Sequence, residues 1–115
     1  LVIFIKFNEE DPHIAICYNN IGTAWLRKGE YDKAIEYIEK ALTIDKKYNG
    51  EKHPSFATRY NNIGEAWRCK GEFDKAMKYY EKALVIAFKR LGSDHPTTKT
   101  IQKNMNYAQQ KKKKI

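Results

Sequence analysis

The sequence predicts an all-α fold built from repeated helix pairs, and three observations support this prediction. A block of 42 residues occurs twice in the 115-residue chain, at 13–54 and 55–96, with 24 identical positions and no gap. Apolar residues inside each block recur at the three- and four-residue spacing of a helix. The glycines and prolines recur at fixed places in the two blocks, where they mark helix ends. Self-similarity of this period is typical of a helical solenoid.

The composition excludes a membrane protein and a disulfide-stabilised protein. Hydrophobic residues make up 42% and charged residues 31% of the chain, and no apolar run approaches the roughly 20 residues that a membrane helix needs. Two cysteines cannot form a disulfide framework, so we expect a reducing, cytoplasmic compartment. The net charge of +8 is concentrated in residues 97–115, which have six lysines and no acidic residue, so it does not indicate a nucleic-acid-binding body.

The first helix of each repeat is predicted at about 13–28 and 55–70. A proline suits the first position of a helix, and Pro12, Pro54 and Pro96 are 42 residues apart. Apolar residues then recur along one side of the helix, and a glycine on that side allows the partner helix to approach closely. A Lys-Gly-Glu sequence ends each of these helices, because glycine favours the left-handed conformation that follows a helix.

The second helix of each repeat is predicted at about 32–47 and 74–90. Small alanines in these helices are expected to face the glycine of the first helix, while large aromatic residues fill the remaining volume. The first complete repeat therefore spans 13–54 and the second spans 55–96. The predicted core positions of the two repeats are Tyr18, Ile21, Gly22, Trp25, Ala34, Ala41, Tyr60, Ile63, Gly64, Trp67, Ala76, Tyr80 and Ala83.

The two flanks are interpreted as repeat material as well. A shift of two repeat periods aligns residues 1–8 with 85–92, which indicates the tail of a preceding repeat's second helix. Taken alone, the β-branched and aromatic residues of this segment favour a strand instead. Residues 97–115 are interpreted as a capping helix to about residue 112 with a lysine-rich tail, Lys111–Lys114. One side of that helix is apolar and the rest is polar, as the terminal helix of a solenoid requires.

The residues of the repeat resemble the tetratricopeptide repeat family. The family's pattern of aromatic, Leu-Gly, aromatic and then Ala-x3-Phe appears in substituted form, as Tyr18-x2-Ile21-Gly22-x2-Trp25 and Ala34-x3-Ile38. The usual unit of the family is shorter, at about 34 residues. The longer unit found here, with His-Pro, Asn-Asn-Ile-Gly and Lys-Gly-Glu-Tyr/Phe-Asp-Lys-Ala, is similar to the kinesin-light-chain type. The resemblance implies an α-α superhelix, a tetratricopeptide solenoid, with a concave face.

The resemblance also implies where a partner binds. The first helices line the concave face, and an Asn just before the Ile-Gly pair holds an extended peptide in several such proteins. A side-chain amide suits this role because it can donate to a peptide C=O and accept from a peptide N–H at once. An alternative is that these amides bond loops or neighbouring helices. The candidate peptide-binding residues are Asn20, Asn62, Asn104, Asn19, Asn61, Thr23, Arg27, Glu65, Arg68 and Lys103.

The resulting functional prediction is a non-catalytic scaffold that binds a peptide segment of a protein partner, without a cofactor or a metal. The sequence has no phosphate loop, nucleophile motif or metal-ligand spacing, and His53 and His95 are expected to form turns. One alternative is a structural spacer, or a piece of a longer array that self-associates through the N-terminal apolar segment 1–5. Another, binding of nucleic acid or an anionic membrane by Lys111–Lys114, is disfavoured because aromatic residues do not alternate with these lysines.

Overall fold

The computed structural model describes residues 12–49 and 53–113, and these residues form five α-helices. The helices are α1 (Pro12–Arg27), α2 (Tyr31–Asn49), α3 (Ser55–Cys69), α4 (Phe73–Arg90) and α5 (Pro96–Lys113). No strand occurs within the described ranges, which confirms the predicted all-α class. Successive helices pack as pairs, and α5 packs against α4 where the first helix of a third pair belongs. The helix tail predicted at 1–8 lies outside the described residues.

Glycines end the first helix of each complete repeat. Gly29 and Gly71 have φ angles of 83° and 82°, in the left-handed region that a Cβ disfavours. The N–H of Gly29 donates to the carbonyl of Leu26 at 3.1 Å, and the N–H of Glu30 donates to the carbonyl of Trp25 at 2.9 Å. This is the Schellman arrangement, in which the chain turns while the last helical carbonyls keep partners. The same two bonds recur around Gly71.

Histidines shape the turns that begin α3 and α5. The Nδ1 atom of His53 accepts a hydrogen bond from the backbone N–H of Ser55 at 3.1 Å. His95 accepts in the same way from the backbone N–H of Thr97, also at 3.1 Å. Each bond satisfies one of the backbone donors that the start of a helix leaves without a partner. The two histidines therefore have the structural role that their place in the repeat predicts.

Each helix pair closes over the glycine of its first helix. A Cβ built on Gly22 would lie 2.6 Å from Cγ1 of Ile38 and 3.0 Å from the carbonyl oxygen of Ala34. A Cβ built on Gly64 would lie 2.7 Å from Cε1 of Tyr80. A larger residue at either position forces the pair apart, which costs about 1–3 kcal/mol. The close approach that the sequence predicts at these glycines is therefore present in both repeats.

The core extends from α2 to α5 through both repeats. Its largest fully buried apolar side chains are Tyr80, Phe56, Ile38, Ile63 and Ile101. The small residues predicted for the core are buried too. The ring of Tyr60 is buried, whereas the equivalent ring of Tyr18 is half-buried. The buried residues in that group are Gly22, Ala34, Ala41, Tyr60, Gly64, Ala76 and Ala83.

Four predicted core residues are more exposed than the sequence pattern indicates, and the half-buried Tyr18 is one of them. Ile21 is 42% exposed, because the described residues place no helix on that side of α1. Trp25 and Trp67 are half-buried rather than enclosed. The ammonium groups of Lys33 and Lys75 lie 4.4 Å from the centroids of these two rings. Ile21 is thus not a core residue of the described structure, and lysine side chains cover the tryptophan rings in place of core residues.

Ion pairs join neighbouring repeats with the period of the sequence. Lys70, the residue that follows α3, pairs with Asp32 of α2. One period later, Nζ of Lys112 on α5 lies 2.5 Å from Oδ1 of Asp74 on α4. Residues Lys111–Lys113 form the last turn of α5, which thus ends within one residue of the position near 112 that the sequence predicts.

A buried ion pair marks the joint between the two complete repeats. Nε of Arg59 on α3 lies 2.5 Å from Oδ2 of Asp45 on α2, and the two side chains are 9% and 4% exposed. The residues one period later are Ile101 and Ala87, which are both fully buried. Opposite charges at one joint are thus replaced by two apolar residues at the next. Each joint keeps compatible side chains because both positions change together.

Candidate functional site

The first helices α1, α3 and α5 form one surface that carries the candidate peptide-binding residues. Nδ2 of Asn104 on α5 donates to Oδ1 of Asn61 on α3 at 3.0 Å. The guanidinium of Arg68 on α3 lies 5.1 Å from the ring centroid of Tyr107 on α5. Candidate residues of neighbouring helices therefore meet along this surface. We call it the amide face, after its five asparagines Asn19, Asn20, Asn61, Asn62 and Asn104.

The asparagines of the amide face differ in exposure and in hydrogen bonding. Asn20 is exposed, whereas Asn62 and Asn104 are half-buried. Among the described residues, the side-chain amides of Asn20 and Asn62 have no hydrogen-bond partner, while the amide of Asn104 donates to Asn61. The alternative in which these amides bond neighbouring helices therefore applies to Asn61 and Asn104. Asn20 and Asn62 remain open to a ligand.

Asn19 is a half-buried residue of the amide face. Its Oδ1 atom is buried and accepts no hydrogen bond within the described part of the chain. The equivalent atom one period later, Oδ1 of Asn61, accepts from Asn104. The hydroxyl of Thr23 donates to the backbone carbonyl of Asn19 at 2.8 Å, so its proton is not available to the side-chain oxygen of Asn19. A buried acceptor without a donor is unfavourable, and a ligand N–H that reached Asn19 would relieve that cost.

The charged candidates differ in how firmly they are held. Arg27 and Lys103 are exposed. Arg68 is half-buried, and its Nη2 atom lies 3.6 Å from Oε1 of Glu65 in the same helix. The ring of Tyr107 contacts the guanidinium from the next first helix. Arg68 is thus a fixed cation on the amide face, and a fixed guanidinium is suited to a carboxylate or a carbonyl oxygen.

The buried phenol of Tyr80 and the guanidinium of Arg68 influence each other's protonation. Burial raises the pKa of Tyr80 to about 12, although the neighbouring guanidinium of Arg68 opposes that rise. Burial disfavours the charge of Arg68, but its interactions with Tyr80, Cys69 and Glu65 outweigh this and raise the Arg68 pKa. At neutral pH, Tyr80 is therefore neutral and Arg68 is positively charged.

The sequence analysis misses two aromatic side chains that affect Arg68. It identifies Tyr80 only as a core residue, and it does not select Tyr107. One signal was available, because the second repeat replaces Leu26 with Arg68 and Ile38 with Tyr80. Leu26 packs against the core cluster that contains Ile38. A position-by-position comparison of the repeats therefore shows an apolar pair becoming a polar pair.

The described helices offer neither a metal site nor a membrane span. Within residues 12–49 and 53–113, no three His, Cys, Asp or Glu side chains form a group that could hold a metal ion. Cys17 and Cys69 are free and exposed. None of the helices in that part of the chain is both long enough and apolar enough to cross a bilayer.

Known proteins share this architecture. The sequence model of the tetratricopeptide repeat family matches residues 13–87. The crystal structure of BtubC (BKLC) from P. vanneervenii is 25% identical, with a TM-score of 0.79 over 90% of this chain and 41% of that chain. Two crystal structures of the TPR-like repeats of a Podosopora anserina protein described as a kinesin light chain are 23% identical over 94% of this chain and 51% of that chain. Their TM-scores are 0.74 for a single-residue variant and 0.72 for the other structure.

One curated relative matches a shorter part of the chain. The clustered mitochondria protein homolog of Homo sapiens is 35% identical over 51 residues, which are 44% of this chain and 4% of that protein. The chain therefore spans about half or less of the solved structures and a small part of the human protein. The similarity to the Podosopora anserina structures concerns the fold alone.

Proposed function

The chain belongs to the tetratricopeptide repeat family, with repeats of the kinesin-light-chain type, and from this premise we propose that it is a non-catalytic scaffold for a protein partner. It holds an extended peptide segment of that partner along the amide face of α1, α3 and α5. It needs no cofactor for this role. The proposed location is the cytoplasm, where free thiols such as Cys17 and Cys69 stay reduced.

The open amides of Asn20 and Asn62 are the observation that carries this proposal. They occupy equivalent positions of α1 and α3, one period apart, and have no hydrogen-bond partner among the described residues. Asparagine lowers helix propensity in the middle of a helix, so two at equivalent positions call for a compensating role. A side-chain amide pairs with the C=O and N–H of a peptide, which favours recognition of backbone.

The charges of the amide face favour a neutral or acidic peptide. Arg68 is fixed between Glu65 and Tyr107, so its remaining N–H groups need little ordering before they bind a carbonyl or carboxylate. Arg27 and Lys103 are exposed on the same set of helices. Glu65 is the one acidic residue among the candidates, and it already lies near Arg68. In this proposal the amides bind the backbone of the peptide, and the cations bind its acidic side chains.

The test is isothermal titration calorimetry with a panel of neutral and acidic extended peptides. For any peptide that binds, Asn20→Ala and Asn62→Ala are each expected to weaken affinity about tenfold, because two lost hydrogen bonds are worth about 1–2 kcal/mol. The matched control is Asn106→Ala, since the Oδ1 atom of Asn106 accepts from Gln102 on an exposed part of α5. Thermal unfolding of each variant checks that the fold is intact.

Two results would count against this site. Peptides that bind equally well to the parent chain, Asn20→Ala and Asn62→Ala do not use the open amides. An equal loss of affinity in Asn106→Ala would mean that the effect is not specific to the amide face.

A spacer within a longer array is the second candidate function. The exposed side of α1 around Ile21 favours it, because this apolar surface has the composition of a joint between repeats. Binding of nucleic acid or membrane through the C-terminal lysines has less support. Lys112 pairs with Asp74, and the ammonium of Lys111 lies 5.5 Å from the ring centroid of Tyr107.

A further inference from the structure

Equivalent amides behave differently at the two interfaces between the first helices. At the α3–α5 interface, Nδ2 of Asn104 donates to Oδ1 of Asn61 at 3.0 Å. One period earlier, at the α1–α3 interface, the equivalent residues are Asn62 and Asn19. Within the described residues, the side-chain amide of Asn62 has no hydrogen-bond partner, and Oδ1 of Asn19 accepts no hydrogen bond. The α1–α3 interface therefore has a donor and an acceptor to offer to a ligand.

The acceptor at the α1–α3 interface is covered. Oδ1 of Asn19 is buried, although the residue as a whole is only half-buried. The hydroxyl of Thr23, which lies one turn further along α1, donates to a backbone carbonyl instead. A peptide backbone that lies across the amide face does not reach a covered atom, whereas a side chain that projects from it between α1 and α3 does. We therefore expect the missing donor to come from a ligand side chain.

A primary carboxamide matches the chemistry of the α1–α3 interface. Its NH₂ group donates to Oδ1 of Asn19, and its C=O group accepts from the NH₂ group of Asn62. The NH₂ group of Asn62 has a second proton for the peptide backbone, as the proposed function requires. An ammonium group cannot accept from Asn62, and a carboxylate cannot donate to Asn19. At the α3–α5 interface the donor to Asn61 is itself a carboxamide, that of Asn104.

An exposed apolar side chain beside Asn19 favours glutamine over asparagine as the ligand residue. Ile16 lies one helical turn before Asn19 on α1, and it is 54% exposed. Threonines occupy the equivalent positions of α3 and α5, at Thr58 and Thr100. Side chains three residues apart on a helix are neighbours, so the methylene groups of a glutamine pack on Ile16 while its carboxamide reaches Asn19. Asparagine has a shorter stem and covers less of Ile16.

We propose that the α1–α3 interface is a subsite for a glutamine side chain of the partner peptide, and that Asn19 determines this specificity. The inference rests on the proposed function, because the peptide backbone must lie on the amide face to present the glutamine. Asn19 and Asn62 pair with the carboxamide, and Ile16 packs against its stem. The equivalent acceptor at the α3–α5 interface, Oδ1 of Asn61, already has a donor, so the α1–α3 interface is the one that takes the glutamine.

The experiment compares peptides that differ at a single position. In a peptide of the panel that binds, each position in turn is replaced by Gln, Glu or Met, which have side chains of similar length, and isothermal titration calorimetry measures the three affinities. We expect one position at which Gln binds about tenfold more tightly than Glu and Met, because these two leave Asn19 without a donor. The other positions should not show this preference.

Asn19→Leu is the decisive variant. It replaces the buried acceptor with an apolar side chain of similar size, so it should abolish the preference for Gln without lowering the thermal midpoint. A merely structural role of Asn19 would instead lower the thermal midpoint and leave the preference in place. The matched control is Asn106→Leu, since the Oδ1 atom of Asn106 accepts from Gln102 on an exposed part of α5. This control should keep the preference for Gln.

The possible results separate the glutamine subsite from the proposed function. Peptides that bind through Asn20 and Asn62 but prefer Gln at no position overturn the subsite and leave the proposed function intact. A preference for Gln that survives Asn19→Leu also overturns the subsite, because the carboxamide then binds elsewhere. If no peptide binds, or if binding ignores both Asn20→Ala and Asn62→Ala, the proposed function fails and the subsite fails with it.

Discussion

The first and second repeats are identical at 24 of 42 positions, yet they bury their shared residues differently. Ile63 is fully buried, whereas its equivalent Ile21 is 42% exposed. Both residues follow Asn-Asn and precede Gly, so local sequence does not explain the difference. The explanation is the neighbouring helix, because α2 packs against the side of α3 that carries Ile63, whereas no described helix packs against the equivalent side of α1. The sequence of a repeat determines which side of a helix is apolar, and the adjacent repeat determines whether that side is buried.

The positions at which the repeats differ also carry information. Arg68 and Tyr80 replace Leu26 and Ile38 together, and Glu65 and Tyr107 contact the guanidinium of Arg68 on the amide face. The second repeat therefore has two polar side chains at positions where the first repeat has two apolar side chains that pack in the core. In the proposed function, this difference assigns the preference for acidic side chains to the surface between α3 and α5.

Breaking the buried ion pair between the repeats is expected to have the largest effect. Arg59→Ala leaves the carboxylate of Asp45 buried without its guanidinium, which lowers the free energy of unfolding by about 3–5 kcal/mol. Arg59→Ile combined with Asp45→Ala copies the next joint and should restore most of that loss. Urea unfolding measures both. A double variant as unstable as the single one would show that the two joints are not equivalent.

Truncating the shared isoleucine tests the comparison itself. Ile63→Ala should lower the free energy of unfolding by about 3 kcal/mol, because it leaves a cavity in the core. Ile21→Ala should lower it by only about 0.5 kcal/mol, since that side chain is partly in water already. The measurement is urea unfolding of both variants under identical conditions. Equal losses would mean that α1 is covered as fully as α3.

The smallest effect is expected at alkaline pH, where the second repeat has a group that the first lacks. The pKa of Tyr80 is raised from 10.0 to about 12, so the folded state favours its neutral phenol. This contribution to stability is complete below pH 10.0 and is lost as the pH rises toward 12, because the unfolded tyrosine ionises first. Tyr80→Phe should therefore make stability fall less steeply over this range. Chemical unfolding at several pH values measures both slopes, and equal slopes would contradict the assignment.

The helix pairs could be predicted from the sequence because their determinants are local. Gly29 adopts the left-handed conformation that ends α1, and Gly22 allows the contact with Ile38 that closes the first pair. Both roles follow from the absence of a Cβ, which is visible in the residue type. The repeat period then carries each prediction to the second repeat.

The features that could not be predicted depend on contacts across helices. The exposure of Ile21 depends on a neighbouring helix, and the pairing of Asn104 with Asn61 depends on how α5 lies against α3. The sequence shows that Asn61 and Asn104 both have side-chain amides, but it does not show that these two amides face each other. The same applies to Lys112, whose partner Asp74 is on a different helix.

The central claim is that the open amides of Asn20 and Asn62 hold the backbone of a partner peptide. Nuclear magnetic resonance tests it most directly, through the side-chain NH₂ signals of these residues during titration with a peptide that binds. We predict that both pairs of signals shift and exchange more slowly with solvent, while the signals of Asn106 stay in place. Unchanged signals from Asn20 and Asn62 at saturating peptide would contradict the claim.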